Sequence, residues 1–405
     1  MHETLDDLLI ALNADPVLGR SAACRLGAAP ERWLGVLRRS RTLAEELGVP
    51  RAALVRARKV ARRARDLAGA ERALAARAGA RVITRRDPAY PRVLFDLSLP
   101  PAVLYVGGEL PGERTRRERT ETEAGEETTE QPAEGPGAEP ILGVAVVGSR
   151  RASSYGLEAA EALGRGLSQV GVTVISGLAP GVDAAAHRGA LAAGGCTVAV
   201  LGCGLGVGYP RINLTLRRRI AREGGAVVSE FPWHAEPRRW HFPVRNRVIA
   251  ALALGTVVVQ ATVRSGSLIT AGLTLDLGRE VLALPGSVFD PRSQGPHALL
   301  RDGATPVTDA RDVLEAVLGP SGVAVMAAEP VAGEGGGEPP VPRLPGLPGK
   351  VLAALPVGEG LAPEEVAEQI GKGIDAVLGA LLELELEGRV RREPGPRYSR
   401  RKRSE

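Results

Sequence analysis

The chain has 405 residues, 44% of them hydrophobic and 24% charged, and its 52 basic and 47 acidic side chains give a net charge of +5. This composition is typical of a folded globular protein and excludes a fibrous chain or one that is disordered throughout. No stretch reaches the roughly 18 consecutive apolar residues of a membrane helix, and residues 1–16 carry acids where a signal peptide needs positive charge, so we expect a cytoplasmic protein without a membrane partner.

The first block, residues 1–108, is predicted to be a helical N-terminal domain followed by a lead-in to the core. Leucines at positions 5, 8, 9 and 12 recur at helical spacing, and residues 51–72 continue as a basic helix whose charged side we interpret as a solvated face. Residues 109–140 contain ten acids and almost no large apolar side chain. Such a segment cannot offset the entropy of ordering, so it is predicted to be a disordered acidic linker.

The middle block, residues 141–318, alternates short apolar runs with helical segments such as 156–169, 213–222 and 268–277. This alternation is typical of a parallel sheet covered by helices. The runs are continuously apolar, which indicates strands buried on both faces. They are Val144 to Val147, Val172 to Ile175, Val198 to Leu201, Ala226 to Val228, Val257 to Val259 and Val281 to Leu284. We predict an α/β fold with a doubly wound sheet, which binds ligands at the carboxyl ends of its strands.

The last part of the chain begins with a Gly/Pro-rich stretch, residues 319–346, which is predicted to be a linker. Residues 347–398 then show three short helical patterns and an arginine-rich strand-turn-strand pattern, which together indicate a small winged-helix-like domain. Such domains bind duplex DNA or serve as protein-binding modules, and the sequence leaves both alternatives open. Residues 399–405 form a basic tail.

The first strand of the middle block ends in Gly148-Ser149-Arg150 before a helix. Glycine allows close approach to the backbone, and the free amides at a helix start attract an anion. Arg150 could hold a phosphate with two parallel hydrogen bonds, although an ordinary tight turn has the same sequence. The dinucleotide motif GxGxxG and the Walker A motif are both absent, so no nucleotide cofactor is predicted.

Motifs of catalysis and metal binding are missing. The chain has neither GxSxG nor HExxH, and its cysteines, Cys24, Cys196 and Cys203, form no CxxC pair. Asp183 and His187 are four residues apart at a helix start, and we interpret them as a helix cap and a packed histidine. The sequence therefore predicts neither an enzyme nor a metal site.

Arginines accumulate instead after the other predicted strands. They occur at Arg211, within residues 238–247, and at Arg264 near Ser267. A doubly wound sheet would bring these loops to the same edge as Arg150, and so many arginines fit the backbone of a polyanion better than a single phosphate. Tyr209, Trp240 and Phe242 lie among them, and aromatic faces beside positive charge suit the bases of a single strand. We expect about a third of these arginines to have structural roles, such as capping helices or pairing with acids.

At these residues the sequence resembles the DprA/Smf family of DNA-processing proteins. The resemblance spans residues 144–317 in eight ordered motifs: VAVVGSRRAS, SGLAPGVDAAAH, AVLGCGLGVGYPRIN, SEF, HFPVRNRVIA, RSGSLITA, ALPGS and LLRDGA. It implies an extended Rossmann-like core that binds single-stranded DNA without base specificity, dimerises and loads RecA recombinase during natural transformation. It also implies a SAM-like or helix-hairpin-helix-like N-terminal domain and a C-terminal winged helix. Pro180 and Gln260 depart from the family pattern, since a basic residue and a glutamate are usual there.

The resemblance assigns the family's DNA pocket to Arg150, Arg211 and Arg239. Together with the other strand ends, the predicted DNA-binding residues are Gly148, Ser149, Arg150, Arg211, Arg239, Arg245, Asn246, Arg247, Arg264 and Ser267. We expect a non-enzymatic mediator that protects incoming DNA and needs no cofactor. One alternative is a Rossmann-like nucleotide phosphoribohydrolase, but RSGSLITAG lacks the catalytic glutamate of the PGGxGTxxE motif found in those enzymes. The other alternative is a DNA-binding regulator that acts through its winged helix.

Overall fold

The computed structural model divides into two compact units, Met1–Val331 and Ala332–Glu405. It describes residues 2–18, 20, 23–25, 51–111, 141–328, 346–355, 361–387, 389–393 and 397–400. Most of the predicted acidic linker, residues 112–140, and the end of the basic tail, residues 401–405, lie outside the described residues. None of the described helices combines the length and apolar character needed to cross a membrane.

The described residues before the first strand include the helices α1 (His2–Ala14), α2 (Arg51–Ala61) and α3 (Ala64–Arg77). The predicted helical spacing in α1 is confirmed, because Leu8, Leu9 and Leu12 are all buried. These leucines share one apolar cluster with Tyr105 of the sheet and with Trp233. The N-terminal helices therefore pack directly on the sheet of the first unit.

The central sheet has nine described strands. They are β1 (Ala80–Thr84), β2 (Val103–Gly108), β3 (Gly143–Val147), β4 (Thr173–Ser176), β5 (Thr197–Val200), β6 (Ala226–Ser229), β7 (Gly255–Val258), β8 (Glu280–Ala283) and β9 (Thr305–Pro306). Their spatial order is β1-β2-β6-β5-β4-β3-β7-β8-β9. Strands β3 to β9 are parallel, and β1 and β2 form an antiparallel edge. The predicted α/β class is confirmed, and the sheet begins well before residue 141.

Strand β3 is the point where the strand order reverses. Val144 pairs with Val174 of β4 on one side and with Gly255 of β7 on the other. Chain connections leave such a strand in opposite directions, which opens a crevice at its carboxyl end. The turn at Gly148 to Arg150 lies at this crevice.

The helices that follow β3 cover the two faces of the sheet. They are α4 (Ser154–Gln169), α5 (Val182–Ala192), α6 (Leu214–Arg222), α7 (His241–Leu252), α8 (Gly266–Asp276), α9 (Gln294–Arg301) and α10 (Ala310–Ala328). Val146 packs in one cluster with Leu163 of α4, and its neighbour Val147 packs in another with Val248 of α7. Successive strand residues thus face opposite helix layers, which explains the continuously apolar strand sequences.

The predicted linker at residues 319–346 is wrong at its beginning. Helix α10 runs to Ala328, with non-helical torsion angles at Gly319 (φ 69°, ψ 171°). The run from Val323 to Ala328 is apolar and free of glycine and proline, so the chain resumes a helix after the glycine. Residues 329–345 lie outside the described residues.

The second unit contains α11 (Gly346–Ala354), α12 (Pro363–Ile370), α13 (Ile374–Leu386) and a hairpin of β10 (Val390–Glu393) and β11 (Arg397–Arg400). In the hairpin, Val390 pairs with Arg400. The buried core of the second unit includes Val351, Val377 and Leu381. The three helices and the hairpin confirm the predicted winged helix.

Candidate nucleic-acid interface

The turn after β3 is held from behind by main-chain hydrogen bonds. The Ser149 amide donates to the Gln260 carbonyl at 2.6 Å, and the Val182 amide donates to the Ser149 carbonyl at 3.2 Å. A Cβ added at Gly148 would lie 2.8 Å from the Gln260 carbonyl oxygen, so only glycine fits there. These contacts fix the backbone of the turn, while the side chain of Arg150 is exposed.

Gln260 also fixes the end of this turn through its buried side-chain amide. Its Nε2 donates to Ser153 Oγ at 2.8 Å, and its Oε1 accepts from the Ser153 amide at 2.9 Å. Ser153 in turn caps α4, because its Oγ accepts from the Gly156 amide. The sequence identified Gln260 only as a departure from the family pattern. In the structure its neutral side-chain amide holds the turn in place and adds no negative charge beside Arg150.

A small cleft opens beside Arg150 at the carboxyl ends of β3, β4 and β5. Aromatic rings form part of its lining: the guanidinium carbon of Arg150 lies 5.1 Å from the Phe242 ring centroid, and the Tyr209 ring lies 5.8 Å from it. A guanidinium at this distance from a ring is within cation–π range. The cleft therefore combines a fixed positive charge with flat apolar surfaces.

Three further predicted arginines are exposed on loops at the same edge of the sheet. Arg211 follows β5, Arg239 follows β6 and Arg264 follows β7. Like that of Arg150, none of their side chains makes a hydrogen bond or ion pair with any residue that the structure describes. We call Arg150, Arg211, Arg239 and Arg264 the arginine edge. Its guanidinium groups are free to bind phosphate.

Arg245 and Asn246 were predicted to lie in a loop of the DNA-binding edge, and the loop is wrong, because both residues are buried in α7. Arg245 Nη1 donates to the carbonyls of Gly177, at 2.9 Å, and Val200, which ties together the ends of β4 and β5. Burial lowers the pKa of Arg245 to about 10. Asn246 Nδ2 donates to the Gly266 carbonyl at 3.2 Å. Arg245 lines the cleft, but its guanidinium donates hydrogen bonds to backbone carbonyls of the protein.

Arg247 and Ser267, two further predicted DNA-binding residues, are likewise engaged inside the protein. Arg247 Nη1 donates to the Leu99 carbonyl at 2.7 Å, and Nη2 pairs with Glu230, whose side chain is 1% exposed. Arg20 pairs with the same carboxylate at 3.1 Å. Ser267 is buried, with its Oγ 2.7 Å from Ser265 Oγ at the start of α8. These contacts fix the loops that carry the arginine edge.

The interpretation of Asp183 as a helix cap is wrong. Its Oδ2 accepts from the amides of Gly177, at 3.2 Å, and Ala179, at 3.3 Å, so the carboxylate braces the loop before α5. Burial raises the pKa of Asp183, and the nearby charge of Arg245 is the main opposing influence. This buried carboxylate is engaged with the backbone beside the cleft.

His187 is a packed histidine, as predicted. Its Nδ1 lies 2.7 Å from Thr197 Oγ1, which itself donates to the Val174 carbonyl, so Nδ1 carries the proton. Burial lowers the pKa of His187 to about 3. Across the part of the chain that the structure describes, no three His, Cys, Asp or Glu side chains are grouped so that they could hold a metal ion.

Two family models match the chain: the DNA recombination-mediator protein A model over residues 138–318 and the DprA winged helix domain model over residues 337–396. Protein Smf of Escherichia coli K12 is 42% identical over 253 residues, which is 62% of this chain and 66% of that protein. Protein Smf of a Synechocystis species is 32% identical over 342 residues, covering 79% of this chain and 80% of that protein.

Among solved structures, the X-ray structure of DNA processing protein A from Streptococcus pneumoniae matches with a TM-score of 0.52 and 31% sequence identity. The match covers 70% of this chain and 91% of that one. The aligned region spans slightly less than two thirds of the E. coli relative, whereas it extends over four fifths of the Synechocystis relative. The chain therefore belongs to the DprA/Smf family of DNA-processing proteins.

Proposed function

We propose that this protein binds single-stranded DNA along the arginine edge as a non-enzymatic recombination mediator. The observation that carries the proposal is the set of four exposed arginines without a partner among the described residues. Guanidinium groups bind phosphate oxygens strongly, and they release counterions when they do so. A row of them along one sheet edge suits a phosphate backbone.

The aromatic rings at this edge favour a single strand over a duplex. Phe242 and Tyr209 line the cleft beneath Arg150, and Trp240 is exposed nearby in sequence. Bases in a duplex are stacked on each other, whereas those of a single strand are free to stack on protein rings. Stacking accepts every base, which agrees with binding that is independent of sequence.

Membership of the family supports the rest of the proposal. The protein would act in the cytoplasm as a homodimer that protects incoming single strands and loads RecA recombinase on them during natural transformation. Light scattering of the full chain measures the dimer, and a pull-down with purified RecA measures the contact. A monomer at working concentration, or no retained RecA, would remove that part of the proposal and leave DNA binding standing.

The winged helix gives no support to a regulator that binds duplex DNA. Its third helix, α13, contains Asp375, Glu383 and Glu385 and no basic residue. Arg397 in the hairpin pairs with Glu365 at 3.1 Å. An acidic helix in this position repels phosphate, so the charge distribution favours a protein partner for the winged helix.

The proposal is tested by fluorescence anisotropy with labelled single-stranded and duplex oligonucleotides across a salt series. We expect wild type to prefer the single strand and Arg150→Ala to lose most of that affinity. Arg219→Ala is the matched control, because Arg219 is also exposed but pairs with Glu223 at 2.9 Å. Equal binding of duplex, or an Arg150→Ala variant that binds like wild type, would contradict the proposal.

A further inference from the structure

Trp240 is an exposed aromatic residue on a rigid base. It is 56% exposed, whereas Trp233 in the same loop is only 6% exposed. Its ring meets His241 edge-on, with centroids 4.1 Å apart and planes at 84°, and meets Phe231 at 6.5 Å and 69°. His241 stacks on the buried Phe231 and lies 3.2 Å from the Gly202 carbonyl through Nδ1. The indole is therefore held in place from one side while much of its surface faces solvent.

The side chains of the two residues before Trp240 are positively charged and have no partner among the described residues. Arg238 and Arg239 are both exposed, and neither side chain bonds to any described residue. By contrast, the exposed Arg219 of α6 pairs with Glu223. An exposed indole flanked by unpaired guanidinium groups is the combination that binds a base together with its adjacent phosphates.

Trp240 lies outside the cleft, although it is close to it along the chain. Two residues later, Phe242 lines the cleft and lies under Arg150. The start of α7 thus carries one ring inside the cleft and one outside it, with arginines beside both. The Trp240 ring therefore offers a second aromatic surface to a DNA strand that extends out of the cleft.

We propose that Trp240 stacks on a base of the bound single strand and forms a second base-contact point beside the Arg150 cleft. This inference rests on the proposed function. Stacking requires a base but releases no counterions, whereas an arginine–phosphate contact does release them. The two contributions to affinity can therefore be separated by their salt dependence. Removing Trp240 lowers affinity without changing the salt dependence, whereas removing Arg239 reduces the salt slope by about one.

The experiment uses the full-length protein and two labelled probes: a (dT) oligonucleotide and an oligonucleotide of equal length whose central positions are abasic. We expect Trp240→Ala to weaken (dT) binding by about 10-fold. The abasic probe should bind wild type and Trp240→Ala with nearly equal affinity, and Trp240→Phe should restore most of the (dT) affinity. Phe95→Ala is the matched control, because Phe95 is an aromatic residue that is 43% exposed and away from the arginine edge in sequence.

Intrinsic fluorescence gives a second measurement that does not depend on affinity. Stacking should quench the fluorescence of Trp240, so adding (dT) should lower the tryptophan emission of wild type. The same addition should change the emission of Trp240→Phe much less, because that variant keeps only Trp33 and Trp233. Unchanged (dT) affinity of Trp240→Ala, or an equal loss on both probes, would overturn the inference. If Arg150→Ala still abolishes binding in that case, the proposed function stands. If wild type binds neither probe, both proposals fail.

Discussion

The carboxyl edge of the sheet contains two layers of arginines with opposite roles. The outer layer is the arginine edge, whose four side chains are exposed and have no hydrogen-bond or ion-pair partner among the described residues. In the inner layer, Arg245 and Arg247 donate to backbone carbonyls and to Glu230. Arg239 and Arg245 are only six residues apart, yet one faces solvent and the other is buried. A run of arginines at a sheet edge therefore overstates the number of guanidinium groups available to a ligand, because part of the run holds the loops in place.

The largest effect that we expect comes from breaking the inner layer with Arg247→Met. Among the described residues Glu230 would keep Arg20 as its one ion-pair partner, and leaving a buried charge undercompensated costs about 3 kcal/mol. Urea denaturation should show this loss in the free energy of unfolding, with an unchanged dependence on denaturant concentration. The salt slope of single-strand binding by the folded variant should match that of wild type. A variant that is as stable as wild type but has a reduced salt slope would show that Arg247 contacts phosphate, as expected of the outer layer.

Buried His187, which belongs to neither arginine layer, makes the stability of the first unit depend on pH. Its pKa is about 3 in the folded protein. Its ordinary value is about 6.5, so the unfolded chain binds the extra proton first and stability falls as the pH drops between these values. From pH 7 to pH 5 this contribution should reach about 2 kcal/mol. Urea denaturation of wild type and His187→Gln measures it as the part of the pH dependence that the variant lacks. Identical pH dependence in both proteins would show that His187 is not the responsible group.

Substitutions in the outer layer should weaken DNA binding and leave the free energy of unfolding almost unchanged, which is the reverse of the result expected for Arg247→Met. Arg211→Ala and Arg264→Ala should each weaken single-strand binding by about 1 kcal/mol and lower the salt slope by about one, because each removes a phosphate contact. The two losses should add, since these side chains share no partner among the described residues. Their free energies of unfolding should stay within about 0.5 kcal/mol of wild type. Anisotropy titrations and urea denaturation of the single and double variants test both statements. Strong destabilisation by either change would assign that arginine to the inner layer.

Periodicity and strand-end arguments predicted the parallel strands and the position of Arg150, since both follow from local sequence. They did not predict the burial of Arg245. Residues 238–247 were predicted to lie in a loop after a strand, but α7 begins at His241, and Pro243 is tolerated in its first turn. The acceptors of Arg245, the carbonyls of Gly177 and Val200, are distant in sequence, so only the fold reveals that they meet. Gln260 was unassigned for the same reason, because its partner Ser153 is 107 residues away.

The smallest expected effect comes from removing the second unit altogether. A chain that ends at Val331 keeps the whole first unit and every residue of the arginine edge. Because α13 has no basic residue and Arg397 is paired with Glu365, we expect single-strand affinity to stay within about 2-fold of wild type, with an unchanged salt slope. A second chain that lacks only residues 401–405 measures the basic tail separately. A 10-fold loss with a lower slope in the first chain but not in the second would place phosphate contacts in the winged helix itself. That result would overturn the view that DNA binding belongs to the sheet edge and leaves the winged helix to a protein partner.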